Sequence, residues 1–126
     1  MLILNTARMA AATIGPWLME ESVEVFGVAC LSTKNRLLAW HVLSRGTRAS
    51  TPVSMPDVFV PACLTPGTTG VMVVHNHPSG DPTPSADDRL VTEQLVAAGR
   101  LLDIPVHDHV IVGKNRHTSF KSQRLI

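Results

Sequence analysis

Two apolar patterns alternate along the chain: short runs rich in β-branched residues, and longer stretches where apolar residues recur at helical spacing. Residues 6–19 form the first helical stretch, with Thr6 placed to cap it and Gly15-Pro16 expected to break or kink it. The run from Glu21 to Leu31 is rich in β-formers and predicts a strand with Glu24 inside it. A polar turn, Thr33 to Arg36, leads to a second strand over Leu37 to Leu43, so the pair reads as a hairpin. His41, in that second strand, has no ligand-spaced neighbour and reads as a packing or surface histidine. Ser44 to Thr51 reads as loop. Ser54-Met55-Pro56-Asp57 then opens a short helix to Leu64, which Pro61 should kink or shorten.

After the turn cluster Thr65 to Gly70, Val71 to Val74 predicts an apolar central strand. The strongest helical pattern runs from Ser85 to Leu102. Its apolar stripe holds Val91, Leu95, Ala98 and Leu102, widened by Leu90 and Leu101. Ile104 to Val112 predicts a further strand, and Gly113 to His117 a polar turn. There are no internal repeats or low-complexity stretches.

Composition narrows the function classes. At 126 residues, 44% hydrophobic and 17% charged, the chain suits one ordinary globular domain and is too apolar for a disordered one. A formal net charge of +1 gives no general attraction to nucleic acid. Cys30 and Cys63 lie in apolar surroundings without zinc-ligand spacing, which predicts buried free thiols and a reducing cytoplasm. No apolar stretch is long enough to span a bilayer, so no membrane role is expected. The apolar segment Met1 to Met19 carries Arg8 inside it and not ahead of it, which favours a helix over a secretion signal.

The chemistry concentrates between the Val71 strand and the Ser85 helix. In extended chain, residues two apart project to one side, so His75 and His77 can face a single cation while Asn76 points away. Pro78, Pro82 and Pro84 stiffen the following loop, and Gly80 permits a sharp reversal. Asp88, on the first turn of the next helix, can add a carboxylate. Two imidazoles, one carboxylate and an open fourth position suit a catalytic zinc site. Ser85-x-x-Asp88 is also a helix-capping pattern that needs no metal, and both readings stand at this point. His107-Asp108-His109 repeats the two-residue spacing as a rival pair.

His75-x-His77, seven residues, then Ser85-x-x-Asp88 resembles the signature of the JAB/MPN metalloproteases, and His75-Asn-His-Pro-Ser-Gly-Asp-Pro-Thr-Pro-Ser85 resembles their RadC branch. The resemblance covers about residues 20–120, leaving 1–19 as an N-terminal helical extension and 20–126 as the RadC-like domain. It implies an α/β fold: a single-domain mixed β-sheet flanked by helices, with cytidine-deaminase-like architecture. It implies Zn2+ held by His75, His77 and Asp88, Glu24 as general base and then general acid, and Ser85 as a donor to the oxyanion. In that pattern His107, Asp108 and His109 support the sheet near the site. The tail from Ser119 to Ile126 resembles the family's closing strand.

The activity so implied is hydrolysis of an amide or isopeptide bond in a protein or peptide substrate. One alternative is a non-catalytic, metal-containing module acting with partners in DNA repair or DNA metabolism, to which basic Lys114, Arg116, Lys121 and Arg124 would contribute. A nuclease ranks below both, because the motif is poor in carboxylates. Two departures qualify the resemblance. Met55 to Asp57 stand where the family commonly has Arg-Glu, which puts any substrate or partner contact there in doubt. RadC-like proteins normally also carry a preceding helix-hairpin-helix domain, which these 126 residues do not contain, so autonomous DNA binding is not expected of them.

Overall fold

The β-branched runs assemble into one five-stranded sheet. The computed structural model describes residues 2–46 and 53–126. Its strands are β1 (Val25–Leu31), β2 (Leu37–Arg45), β3 (Gly70–Asn76), β4 (Val106–Gly113) and β5 (Arg116–Ser119), in spatial order β2-β1-β3-β4-β5. β1 is antiparallel to β2 and β3, β4 is antiparallel to β5, and β3 and β4 run parallel. A parallel pair requires a long crossover, and α3 (Ala86–Leu101) supplies it. Two further helices, α1 (Ala7–Leu18) and α2 (Met55–Leu64), complete the fold.

Alternation along the strands divides the core into two layers. Val25, Ala29 and Leu31 of β1, with Met72 and Val74 of β3, pack with Ala10, Ile14 and Leu18 of α1. Phe26, Val28 and Cys30, with Val71 and Val73, pack with Val58, Phe59 and Ala62 of α2 and Leu95 of α3. Every residue of β1 and β3 is buried, as expected of central strands covered on both faces. The chain therefore forms the α/β domain that the sequence predicts, a mixed sheet flanked by helices. Among the described residues, no helix is long and apolar enough to cross a membrane.

Several elements depart from the pattern. β1 begins at Val25, so Glu24 immediately precedes the strand and is not inside it. α1 continues through Gly15-Pro16 to Leu18 without a break; buried Ile14, Gly15 and Leu18 anchor its last turn, and Thr6 caps its start as predicted. α2 likewise runs through Pro61 to Leu64, where the Thr65 hydroxyl donates to the Pro61 carbonyl at 2.8 Å. The buried face of α3 is Thr92, Leu95 and Gly99, while Leu90, Leu101 and Leu102 are exposed. Val91 and Ala98 of the predicted stripe still pack against the core beside Leu95, and a Cβ at Gly99 would lie 2.6 Å from the Ile104 carbonyl oxygen, so only glycine lets the helix sit this close. Cys63 is exposed; Cys30 is buried as expected, and burial pushes its thiol pKa up. Ser44 and Arg45 extend β2, and the rest of the predicted loop, 47–51, lies outside the described residues. The last strand comes earlier than expected: β5 takes up Arg116 and His117, and the chain turns after Ser119. Ser119 Oγ and the Lys121 amide both donate to the Asp108 carboxylate, which draws the tail across β4.

Candidate metal centre

β3 delivers the histidines. Its pleat turns His75 towards α3, where it is fully buried, and His77 follows one residue beyond the strand on the same side. Their Nε2 atoms lie 3.1 Å apart. α3 begins directly opposite with a complete capping box: Ser85 Oγ accepts from the Asp88 amide at 3.0 Å, and the Ser85 amide donates to Asp88 Oδ2 at 2.8 Å. That box fixes the carboxylate against the histidines, with Oδ1 3.3 Å from His75 Nε2 and Oδ2 3.2 Å from His77 Nε2. Capping and a carboxylate aimed at the histidines therefore coexist in one residue. Burial works to raise the Asp88 pKa, but the two imidazoles and the Ser85 amide outweigh it and hold the carboxyl well below the usual range. The Asp88 carboxylate in turn raises His77; burial opposes this, and the Asp81 carbonyl and Glu24 add to it.

Glu24 approaches from β1. Among the described residues, Glu24, His75 and His77 form a group whose ligand atoms lie within 4.8 Å of one another. What brings it there is Asn76, whose side chain faces the other side of the sheet. The Asn76 carbonyl oxygen accepts from the Val25 amide at 2.7 Å, and its NH2 donates to the Val23 carbonyl at 3.1 Å, so the backbone on both sides of Glu24 is pinned. The site thus has two carboxylates: Asp88 in contact with both rings and Glu24 slightly farther out.

The loop between β3 and α3 is held by its own bonds. His77 Nδ1 lies 2.8 Å from the Asp81 carbonyl, which only accepts, so Nδ1 carries the proton and Nε2 presents a lone pair to the centre. Gly80 has φ +92, the left-handed conformation anticipated for the reversal, and its carbonyl accepts from the Lys114 amide. Behind His75 lie His109, with Nε2 2.8 Å from His75 Nδ1, and Thr92, with Oγ1 2.6 Å from His109 Nδ1. Phe26 stacks on His75 at 5.3 Å, and Phe120 on His109 at 4.5 Å. Burial holds His109 well below the ordinary histidine pKa.

The arrangement fits a cation. Two ring nitrogens and a carboxylate converge within 3.3 Å, and lone pairs that close repel unless a proton or metal ion lies between them. A cavity of about 370 Å³ opens beside His77 and Asn76, bounded by Met19, Ser79 and Lys114. It shares Met19, Val112 and Gly113 with a second hollow of about 380 Å³ that reaches Arg8 and Arg116.

All five residues singled out from the sequence thus gather at one place. The rival pair divides: His109 stands behind His75, while His107 packs by Gly70, and Asp108 between them is used up by the His109 amide, Ser119 and Lys121. Sequence reasoning missed Asn76 and Thr92, and it placed His109 only near the site. The one local clue to Thr92 is a polar residue on the sheet-facing side of an otherwise apolar-packed helix.

Comparisons with known proteins point the same way. A family model described as the RadC-like JAB domain matches residues 4–125, which takes in α1 as well as the sheet. A UPF0758 protein of Methanosarcina barkeri is 41% identical over 111 residues, 88% of this chain and 48% of its own length. A UPF0758 protein of Symbiobacterium thermophilum is 40% identical over 123 residues, 98% of this chain and 52% of its own. The chain spans about half the length of these relatives. With the family model covering nearly all of it, and the motif folded into one cluster, the chain belongs to the RadC-like JAB domain family.

Proposed function

We propose that this domain is a zinc-dependent hydrolase of amide or isopeptide bonds, using His75, His77 and Asp88 as ligands. One observation carries the reading. Ligands bound tetrahedrally to zinc at about 2.0–2.1 Å lie roughly 3.3 Å from one another; the two Nε2 atoms are 3.1 Å apart, and the Asp88 carboxylate spans them, Oδ1 3.3 Å from His75 Nε2 and Oδ2 3.2 Å from His77 Nε2. Two imidazoles and one carboxylate also leave a fourth tetrahedral position open for water. When bound, zinc supplies a Lewis acid that brings the pKa of a water towards neutrality.

The remaining steps fall to the chain's own residues. Glu24, pinned by Asn76 at the rim of the cluster, takes the proton of the attacking water and returns it to the leaving amine. Ser85 Oγ uses a lone pair on the Asp88 amide, which leaves its O–H to donate to the developing oxyanion.

The test separates ligands from base. Wild-type protein should contain about one zinc per chain and cleave peptide or isopeptide probes. His75→Ala should lose both zinc and cleavage, whereas Glu24→Gln should keep zinc and lose cleavage. Undiminished zinc in His75→Ala sinks the ligand assignment, and full activity in Glu24→Gln sinks the base. Zinc uptake without cleavage of any probe, together with salt-dependent DNA binding, would instead support the metal-containing binding module, for which exposed Lys114, Arg116, Lys121 and Arg124 are available.

A further inference from the structure

Behind the two histidines runs a chain of hydrogen bonds whose directions can be read from its far end. Thr92 has one hydroxyl proton, and its Oγ1 lies 2.7 Å from the Asp88 carbonyl, which can only accept. That proton is therefore committed. Towards His109 Nδ1, at 2.6 Å, Thr92 can only accept, so the proton between them belongs to His109. The two ring nitrogens of His109 are occupied by Thr92 and His75, and its ring lies fully buried between Phe120 and Phe26. With Nδ1 protonated and no carboxylate against the ring, His109 Nε2 carries a lone pair. It must then accept from His75 Nδ1 at 2.8 Å.

We propose that Thr92 and His109 are positioning residues that lock His75 into its Nδ1–H tautomer, leaving the Nε2 lone pair aimed at His77 and Asp88. The circuit closes on itself. It starts at the backbone carbonyl of Asp88, passes through Thr92, His109 and His75, and ends at the Asp88 carboxylate, 3.3 Å from His75 Nε2. One turn of α3 thus supplies a candidate ligand together with the bond that orients another. His77 reaches the same state by a separate route, its Nδ1–H donating to the Asp81 carbonyl. The inference rests on the metal-holding reading of the site for its purpose, but not for its test.

Thr92→Val keeps the shape and removes the acceptor. His109 is then free to carry its proton on Nε2 and give that bond to His75 Nδ1, which moves the His75 proton to Nε2, the position a metal needs bare. Thr92→Ser keeps the hydroxyl. Long-range 1H–15N NMR of metal-free full-length chain at alkaline pH should show His75 protonated on Nδ1 in wild type and Thr92→Ser, and shifted towards Nε2–H in Thr92→Val. Zinc dissociation constants, measured by chelator competition, should rise about tenfold or more in Thr92→Val and stay near wild type in Thr92→Ser. His109→Gln, whose amide oxygen can still accept from His75, should retain the Nδ1–H signature. A Thr92→Val protein with the wild-type His75 tautomer overturns the proposal, as does a Thr92→Ser protein that behaves like Thr92→Val. A wild-type chain that takes up no zinc defeats the functional reading alone, and the NMR signature still decides this one.

Discussion

Asn76 stands between the two histidines yet serves neither; its amide ties down the chain on both sides of Glu24, 51 and 53 residues earlier in sequence. Replacing it with alanine leaves the buried Val25 amide without its partner, a loss of about 1–3 kcal/mol. Chemical denaturation should show that loss. In the Asn76→Ala protein zinc content should stay near wild type while cleavage falls, because the histidines hold their places and Glu24 does not. Equal loss of zinc and cleavage would contradict this division. The histidine pair was legible from the sequence because strand periodicity alone puts residues two apart on one side. The task of Asn76 was not, since the same periodicity says only that it faces away and nothing local reveals a partner so distant.

At the scale of the element, α3 carries most of the interplay between stability and chemistry. Ser85→Ala should cost about 1 kcal/mol through the lost cap alone. It should also loosen Asp88, whose carboxylate is oriented by the same box. Leu95→Ala, in the buried face, should cost about 2–5 kcal/mol, while Leu101→Ser should stay within about 0.5 kcal/mol. Both follow from Leu95 being 0% and Leu101 83% exposed, and thermal or urea unfolding measures them. The sequence announces this helix, its cap and its length, and Val91, Leu95 and Ala98 of its apolar stripe pack on the core as expected. Leu90, Leu101 and Leu102 do not: they are exposed, and the most buried line runs through Thr92, Leu95 and Gly99, where the lack of a side chain at Gly99 lets the backbone approach Ile104. The shortening of β1 at Val25 has a similar origin, since Asn76 takes the Val25 amide and Val23 carbonyl.

For the whole molecule, the site couples protons to folding, and under the proposed function it would couple a metal to both. His77 is raised by its pairing with Asp88, so in metal-free protein it contributes stability below its unfolded pKa, and that contribution is lost as pH rises through its folded value. Asp88 is lowered, so its contribution is present above its unfolded pKa and is lost only as pH falls far into the acid range. Under the proposed function, zinc would compete with the proton for His77 Nε2. Apparent zinc affinity should therefore rise with pH, by up to about tenfold per unit, until His77 is deprotonated, and then level off. Competition titrations across that range check it; a flat profile would contradict it. Chelation should lower the melting temperature, since zinc at a hundredfold over its dissociation constant adds about 2.7 kcal/mol. The overall architecture was readable because α/β order and the histidine motif agree. What brings β1, β3 and α3 to one point is the crossover and register of the sheet, which local pattern does not encode.

The proposed function requires a metal ion where these three elements meet. The most direct measurement is anomalous X-ray scattering on crystals of the zinc-treated chain, recorded on both sides of the zinc absorption edge. One strong peak is expected between His75 Nε2, His77 Nε2 and the Asp88 carboxylate, and none in His75→Ala crystals. A peak elsewhere, or none there in wild-type crystals, would contradict it.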